Sequence, residues 1–527
     1  MSYHQAGQRM LLAFCWLAPA LYGADVPLAQ QAKNAMERGA FDEALGIAKR
    51  MLAANPRDVN ALNIEGLALT GRGDLQQAAD RFEAALRIDP GFQPARKNLA
   101  IDQLTLKQPE AAEKNLTILL KQTPRDPAIR MYLGELAFRR KEYAAATVHL
   151  EAAKPLWPKD ARLPVMLAEC HFQAGRRPEG VHLLEAIEPG RLDPVWQFHA
   201  GVLLAARDEY AAAARFFEAA RGRYPQPYDL LFNLGVCYVQ TRKLDQAISV
   251  LAELRKTGPA TSELDNLLAE AYEGNKQTQR AIDLLREATK LAPDEERNYV
   301  DLAMLCAEHN SFDLGLEVVD VGLHHVPDSD ALLVQRGVIY AMNGRYEEAE
   351  KEFQAASHHS AARDSAYTAL GLSYIQQGDV GKAVQVLRER AKQDSGNAAL
   401  QYLLGEALIR TGVGPGDEEY AEALAALEKS VRVNPNFAYS HIDLAKLYLM
   451  QNRNAEAIQH LRASVAIDNT SVQAYAQLGA ALRKEGKTDE ALPMFAKVRE
   501  LNEHNRTVGE PVPLVRGDAN GEGGVRK

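Results

Sequence analysis

Pro56, Pro90, Pro124 and Pro158 stand 34 residues apart, and so do Pro225, Pro259, Pro293 and Pro327. The step from Pro158 to Pro225 is 67, two periods less one residue, and that from Pro327 to Pro435 is 108, three periods plus six. A residue type that keeps phase over such a length marks one structural module used many times. Proline also punctuates, because it lacks an N–H and forces the preceding residue out of the helical region. A chain of 527 residues would otherwise be expected to form several globular domains. Stacked modules need no single large core, so one repeating array is the expectation instead.

The clearest module is 228–261. Leu231, Leu234, Gly235 and Tyr238 recur on one face of a 3.6-residue period. A turn at Arg242–Lys243 follows, then Ala247, Leu251 and Leu254 form a second such face before Pro259. Gly235 and Ala247 are small where two helices must approach, and larger residues fill the space around them. These residues resemble the tetratricopeptide repeat, L-x2-L-G-x2-Y…A-x3-L-x2-L…P over about 34 residues. The resemblance implies an all-α fold, a right-handed α-solenoid of stacked helix-turn-helix units. It also implies that the first helices line a concave groove, which the family uses to hold peptides or partner subunits.

In phase with the prolines, about fourteen repeats occupy 25–505. The first, 25–58, keeps Ala44, Met51 and Pro56 but has a degenerate first helix. Repeat 161–193 is one residue short and carries Pro164 in its opening turn, a tolerated place. The six extra residues of 398–437 fall in the turn-rich stretch 412–419, GVGPGDEE, between its two helices. Before the array, Arg9 precedes the apolar run 10–24, MLLAFCWLAPALYGA. Residues 1–24 therefore read as a signal peptide cleaved after Ala20 or Ala24, which places the mature chain in the periplasm or outside the cell. The run is too short for an unkinked span of roughly 20 apolar residues, so no transmembrane segment is expected in the mature chain. The alternative is a helix packed on the first repeat of a cytoplasmic protein. Residues 506–527, rich in Gly, Pro and charge, read as a disordered tail.

The net charge of −9 argues against nucleic acid as a partner, which needs a basic stripe for phosphates. Cys170, Cys237 and Cys306 fall late in the first helices of their repeats and read as packing residues, with no disulfide framework. No P-loop, dinucleotide fingerprint, HExxH or G-x-S-x-G occurs. The chain is accordingly read as non-enzymatic, without cofactor or metal. One cluster asks for a metal reading: His324, His325, His358 and His359 form two pairs one repeat apart. Imidazoles ligate transition metals. Helices of neighbouring repeats stand roughly 8–10 Å apart, however, too far for all four rings to close on one ion unaided. The other reading is histidine suiting the negative end of a helix dipole.

By the family resemblance, positions 2, 5, 9 and 12 of each first helix face the groove. The protein-binding residues expected there are Phe198, Val202, Phe232, Val236 and Val239, and further along Val334, Val338, Leu372 and Ile375. An apolar surface of that extent marks an interaction site. Glu135, Glu169, Glu270 and Glu406 at position 9 are expected to make the remaining groove acidic. Only Lys97 and Asn98 echo the clamp by which chaperone-binding members of the family hold a peptide carboxylate. No spare helix follows the last repeat, so the face around Met494, Val498 and Leu501 is expected to support end-to-end self-association. The function expected is a scaffold that holds partner proteins or peptides in envelope assembly, secretion, or pilus or polysaccharide export. The alternatives are a regulatory or positioning subunit of an enzyme complex and a cytoplasmic assembly co-chaperone.

Overall fold

The computed structural model describes residues 27–357, 363–394 and 396–508. Among them are 28 α-helices and no strand. The helices form fourteen consecutive antiparallel pairs in the phase set by the prolines, from Leu28–Glu37 with Phe41–Ala54 to Val472–Lys484 with Thr488–Val508. The chain divides into two compact units, 1–256 and 257–527. The leader, His358, His359 and residues 509–527 lie outside the described residues, while 506–508, expected to begin a disordered tail, continue the last helix to Val508.

Three local devices recur in the pairs. The first closes the first helix. One residue with positive φ follows each first helix, at Gly39, Gly73, Lys107, Lys141 and Gly175, and so on to Asn452 and Gly486. In the pair 228–261 it is Arg242, with φ 56°. Its N–H reaches Val239 O, and the N–H of Lys243 reaches Tyr238 O at 2.8 Å. This left-handed cap satisfies carbonyls that the helix end leaves unpaired. Seven of these positions are not glycine, so those repeats carry a strained residue where Gly would sit freely.

The second device opens the next first helix. Asp58, Asp126, Asp193, Thr261, Ser329, Asn397 and Ser471 each accept a hydrogen bond from a backbone N–H of the first turn that follows. Such caps contribute about 1 kcal/mol each. Two residues upstream of Asp58 is Pro56, and the residue before it, Asn55, is extended at φ −142° and ψ 95°, as proline requires.

The third device joins the two helices of a pair. A Cβ added at Gly235 would lie 2.2 Å from Leu251 Cδ2, and one at Gly201 would lie 2.6 Å from the Phe217 ring. The same arrangement occurs at Gly66 with Phe82, Gly134 with Leu150, Gly337 with Phe353 and Gly371 with Leu387. Each large partner is fully buried. Burying such a side chain stabilises by roughly 1.5–3 kcal/mol, and the absent Cβ is what admits it.

The extra residues of 398–437 leave the pair intact. Ala398–Arg410 and Glu418–Val433 are joined by a longer turn, and the second helix runs to 16 residues. Gly405 still faces Leu427. The degenerate first repeat also folds as a pair, burying Ala32, Ala35 and Met36.

Substituting Gly235→Ala should destabilise by about 1–3 kcal/mol, since Leu251 must move. Gly46→Ala, mid-helix with nothing within 4 Å of the new Cβ, should instead stabilise by roughly 0.5–1 kcal/mol. Urea melts measure both, and hydrogen exchange should confine the Gly235 damage to its own and adjacent repeats. A Gly235→Ala variant as stable as wild type would refute the packing account.

Candidate binding surface

Within each unit, successive first helices pack on one another. Val59–Arg72 meets Gln93–Thr105 and Pro194–Ala205 meets Pro227–Gln240; in the other unit Ala398–Arg410 meets Ala438–Met450. Comparable packing between successive second helices does not occur among the described residues. A stack whose first helices are the closer set curves toward them, so the first helices line the inner face of each unit.

That face is partly polar and stitched across repeats. His199 and Glu169 share a hydrogen bond of 2.8 Å, Arg162 lies 3.6 Å from Glu135, and Asn98 donates to Asn63 at 2.9 Å. Glu406 holds Arg410 of its own helix at 2.7 Å. Of the four glutamates expected to make the groove acidic, Glu135, Glu169 and Glu406 are thus engaged by partners, while Glu270 faces water. Lys97 lies 3.6 Å from Asp126. With Asn98 tied to Asn63, both residues that echo a carboxylate clamp are committed within the fold.

The expected apolar residues separate into three sets. Val202 is 36% exposed and Leu372 41% exposed. Phe232, Val236, Val334 and Val338 are half-buried, Phe232 lying parallel to Tyr228 one turn back with centroids 6.4 Å apart. Val334 and Val338 lean on the core of the second unit. The third set corrects the sequence expectation. Val239 is 3% and Ile375 4% exposed, so neither offers surface to a partner. Both sit three residues before the left-handed cap, Arg242 and Gly378, where the chain turns back; Ile375 belongs to the buried cluster with Leu404 and Leu408 of the next first helix. Phe198 is also diverted: its ring stacks on Tyr224 at 4.3 Å and lies 5.6 Å from Phe217 of the second helix.

Other inner-face residues include further members of the groove positions, Val195 and Tyr439 at position 2 and Tyr402 at position 5 of their repeats. Val195 is well exposed, and Trp196 meets His199 edge-on at 5.5 Å. In the second unit Tyr402 and Tyr439 project from neighbouring first helices, their centroids 6.2 Å apart.

Asp102, 2% exposed, shows how tightly first helices are joined. Burial pushes its carboxyl up to about 7, only partly offset by the hydrogen bond with Thr70. Thr70 Oγ1 lies 2.6 Å from Asp102 Oδ2 and 3.1 Å from Gly66 O. One hydroxyl proton cannot serve both, whereas a protonated Asp102 donates to Thr70 and leaves Thr70 to donate to Gly66.

The described cysteines and His325 are engaged in packing. Cys170, Cys237 and Cys306 are free and buried, and burial pushes the Cys170 thiol up to about 11. His325 stacks on Tyr299 at 6.1 Å. Among the described residues no group of three His, Cys, Asp or Glu side chains is placed to hold a metal. At the end of the array Leu501 is buried, which corrects the expectation for that residue; Met494 and Val498 are half-buried, and Leu492 is exposed. Ala491 and Leu501 are turned inward, while Leu492, next to Ala491 in the chain, is bare. Among the described residues no helix is long and apolar enough to cross a membrane.

Models of the Tetratricopeptide repeat match residues 69–136, 204–271 and 416–482, residues 30–91 and 368–412, and residues 266–295. Together they cover more than half of the chain, which belongs to the tetratricopeptide repeat family. Proteins of this family mediate protein–protein interactions. The chain is similar to the BBSome complex member BBS4 homolog of Drosophila melanogaster, 20% identical over 382 residues, 70% of this chain and 77% of that protein. It is also similar to the type IV pilus assembly protein PilF of Pseudomonas aeruginosa, 25% identical over 209 residues, 39% of this chain and 82% of that protein. Among solved structures it is similar to yeast Tom70, with a TM-score of 0.44 and 14% identity, covering 92% of this chain and 97% of that one.

Asp102→Asn should stabilise the protein by about 1–3 kcal/mol at pH 7.5 by removing the burial of a carboxylate. The folded state keeps the Asp102 proton up to about pH 7, whereas a carboxyl in the unfolded chain releases it near 3.8. Folding therefore takes up a proton between these values, and wild-type stability gains as the pH falls through 7. The advantage of Asn should shrink toward pH 5. Thermal melts of both proteins across that range measure it, and a pH-independent difference would refute the assignment.

Proposed function

We propose that this chain is a non-enzymatic scaffold that binds segments of partner proteins along the inner faces of its two units. The observation that carries the reading is the apolar surface left on first helices: Val202 with Val236 and Phe232 in one unit, Leu372 with Val334 and Val338 in the other. Helix-pair packing is already complete without Val202 and Leu372, because the glycine-centred contacts fill it. Exposed apolar side chains on a concave wall suit an amphipathic partner helix or an extended segment.

The biological setting we favour is assembly at a bacterial envelope, in secretion or in pilus or polysaccharide export. What supports it is the leader-like 1–24 stretch and the similarity to a pilus assembly protein. On this reading the mature chain works in the periplasm or outside the cell. A second reading, a subunit that positions other members of a stable complex, is favoured by the similarity to a BBSome complex member. Association of copies through the last repeat, around Leu492, Met494 and Val498, is compatible with either.

Crosslinking with mass spectrometry in the native cell, on wild type and on the Val202→Asp and Leu372→Asp variants, tests the proposal. Partners should crosslink to inner-face positions near these residues. Each aspartate should weaken capture of the partners of its own unit by tenfold or more without altering thermal stability. Crosslinks confined to second helices, or capture indifferent to both substitutions, would overturn the groove reading. N-terminal sequencing of the mature protein reads the export half separately: an intact Met1 would defeat it.

A further inference from the structure

On the inner face of the second unit, three aromatic side chains from two successive repeats gather. Tyr402 comes from Ala398–Arg410, Phe437 caps Ala438–Met450, and Tyr439 lies in that helix's first turn. The Tyr402 and Phe437 centroids are 5.1 Å apart at an interplanar angle of 69°, and Phe437 and Tyr439 are 6.3 Å apart at 83°. Tyr439 is 58% exposed. An aromatic ring left so bare has its apolar faces in water.

Two carboxyl groups enter the same cluster. Glu406, one turn after Tyr402, is hydrogen-bonded to the Tyr402 hydroxyl and holds Arg410. Asp443, one turn after Tyr439, also acts electrostatically on Tyr402. Asp443 is half-buried, and burial followed by repulsion from Glu406 pushes its carboxyl up to about 6. The cations nearby are Lys446, one turn on, and Arg410, and both pull in the opposite direction without cancelling the shift. Arg410 is bound to Glu406, and among the described residues neither cation forms an ion pair with Asp443. The cluster thus joins an exposed aromatic ring, backed by two half-buried ones, to a carboxyl group that forms no ion pair among the described residues.

Those two deficits are relieved by one kind of ligand. The ring quadrupole attracts a cation placed over the face of a tyrosine or phenylalanine. An aliphatic stem covers apolar ring surface while its charged end stays polar. A cation near a carboxyl favours its ionised form. We infer that Tyr402, Phe437, Tyr439 and Asp443 form a subsite for a lysine or arginine side chain carried by a partner segment on the inner face. The inference rests on the proposed groove binding for how the segment arrives; the chemistry of the subsite does not depend on the apolar patches.

The test uses the full chain and three fluorescent twelve-residue peptides in a Gly/Ser background, carrying four lysines, four glutamates or no charge. Fluorescence anisotropy at pH 7.5 and low salt should show preferential binding of the lysine peptide. Tyr439→Ala and Asp443→Asn should each weaken it roughly tenfold, while Asp283→Asn, an exposed acid in a distant repeat, should leave it unchanged. Since the cation competes with the Asp443 proton, wild-type affinity should fall as the pH drops from 7.5 through 6, and Asp443→Asn should lose that dependence. No preference for the lysine peptide would overturn the inference. So would equal losses in Asp283→Asn, the mark of diffuse attraction to an acidic protein, or an unchanged affinity in both cluster variants. Leu372→Asp distinguishes the two readings: loss of native partners without loss of the lysine peptide separates the patch from the subsite. Retained partners with a Tyr439-dependent lysine peptide would sink only the groove proposal.

Discussion

In eight of the fourteen pairs a missing methyl group on the first helix and a large side chain on the second define how close the two helices come. Gly235 and Leu251, Gly201 and Phe217, and Gly337 and Phe353 are versions of one contact. The ring or leucine fills the space that a Cβ would occupy, and it is shielded on all sides by the pair itself. Every other feature of the stack depends on that separation. It sets the angle at which the second helix returns, and hence which face the first helix turns toward its neighbours. Because the contact is local, the chain can lengthen the turn within 398–437 without breaking the pair, and the cores of neighbouring pairs still merge into continuous clusters.

The ends of the helices are managed with equal economy. A left-handed residue closes the first helix, a capping side chain opens the next, and proline holds the stretch between them extended. None of the three needs help from a distant part of the chain. Stability is therefore distributed, repeat by repeat, with nearest-neighbour terms added. The neighbour terms are where this chain is individual. Asp102 with Thr70, Glu169 with His199 and Asn63 with Asn98 join first helices to first helices across repeat boundaries. These polar links occupy the inner wall, and they decide how much of it remains free for anything else.

What remains free is uneven. In the first unit the exposed surface centres on Val195 and Val202; in the second it centres on Leu372 and, further on, Tyr439. Reading the groove from repeat positions alone captured Val202 and Leu372 but also named Val239, Ile375 and Phe198. Val239 and Ile375 fail because a side chain at the last turn of a first helix is closed over where the chain doubles back. Phe198 fails because a long ring can swing to Tyr224, a residue outside the repeat pattern. The acidic inner wall was legible in Glu135 and Glu169 as composition, and illegible as chemistry, since their partners Arg162 and His199 come from the next repeat, whereas Glu406 is held by Arg410 of its own helix. The aromatic cluster was legible only in part: Tyr402 and Tyr439 occupy groove positions 5 and 2 of their repeats, whereas Phe437 stands outside any helix and meets Tyr402 edge-on.

The sequence by itself determined the all-helical class, the number and phase of the pairs, the glycine contacts and the buried state of the three cysteines. Those properties depend on residues within about 34 positions of one another, and periodicity records them directly. Only the tertiary structure decided the division into two units, which inner-face side chains reach water, and which acids and aromatics stand together. Such facts arise between repeats, where a small difference in rotamer or partner redirects a side chain, and no period in the chain encodes them.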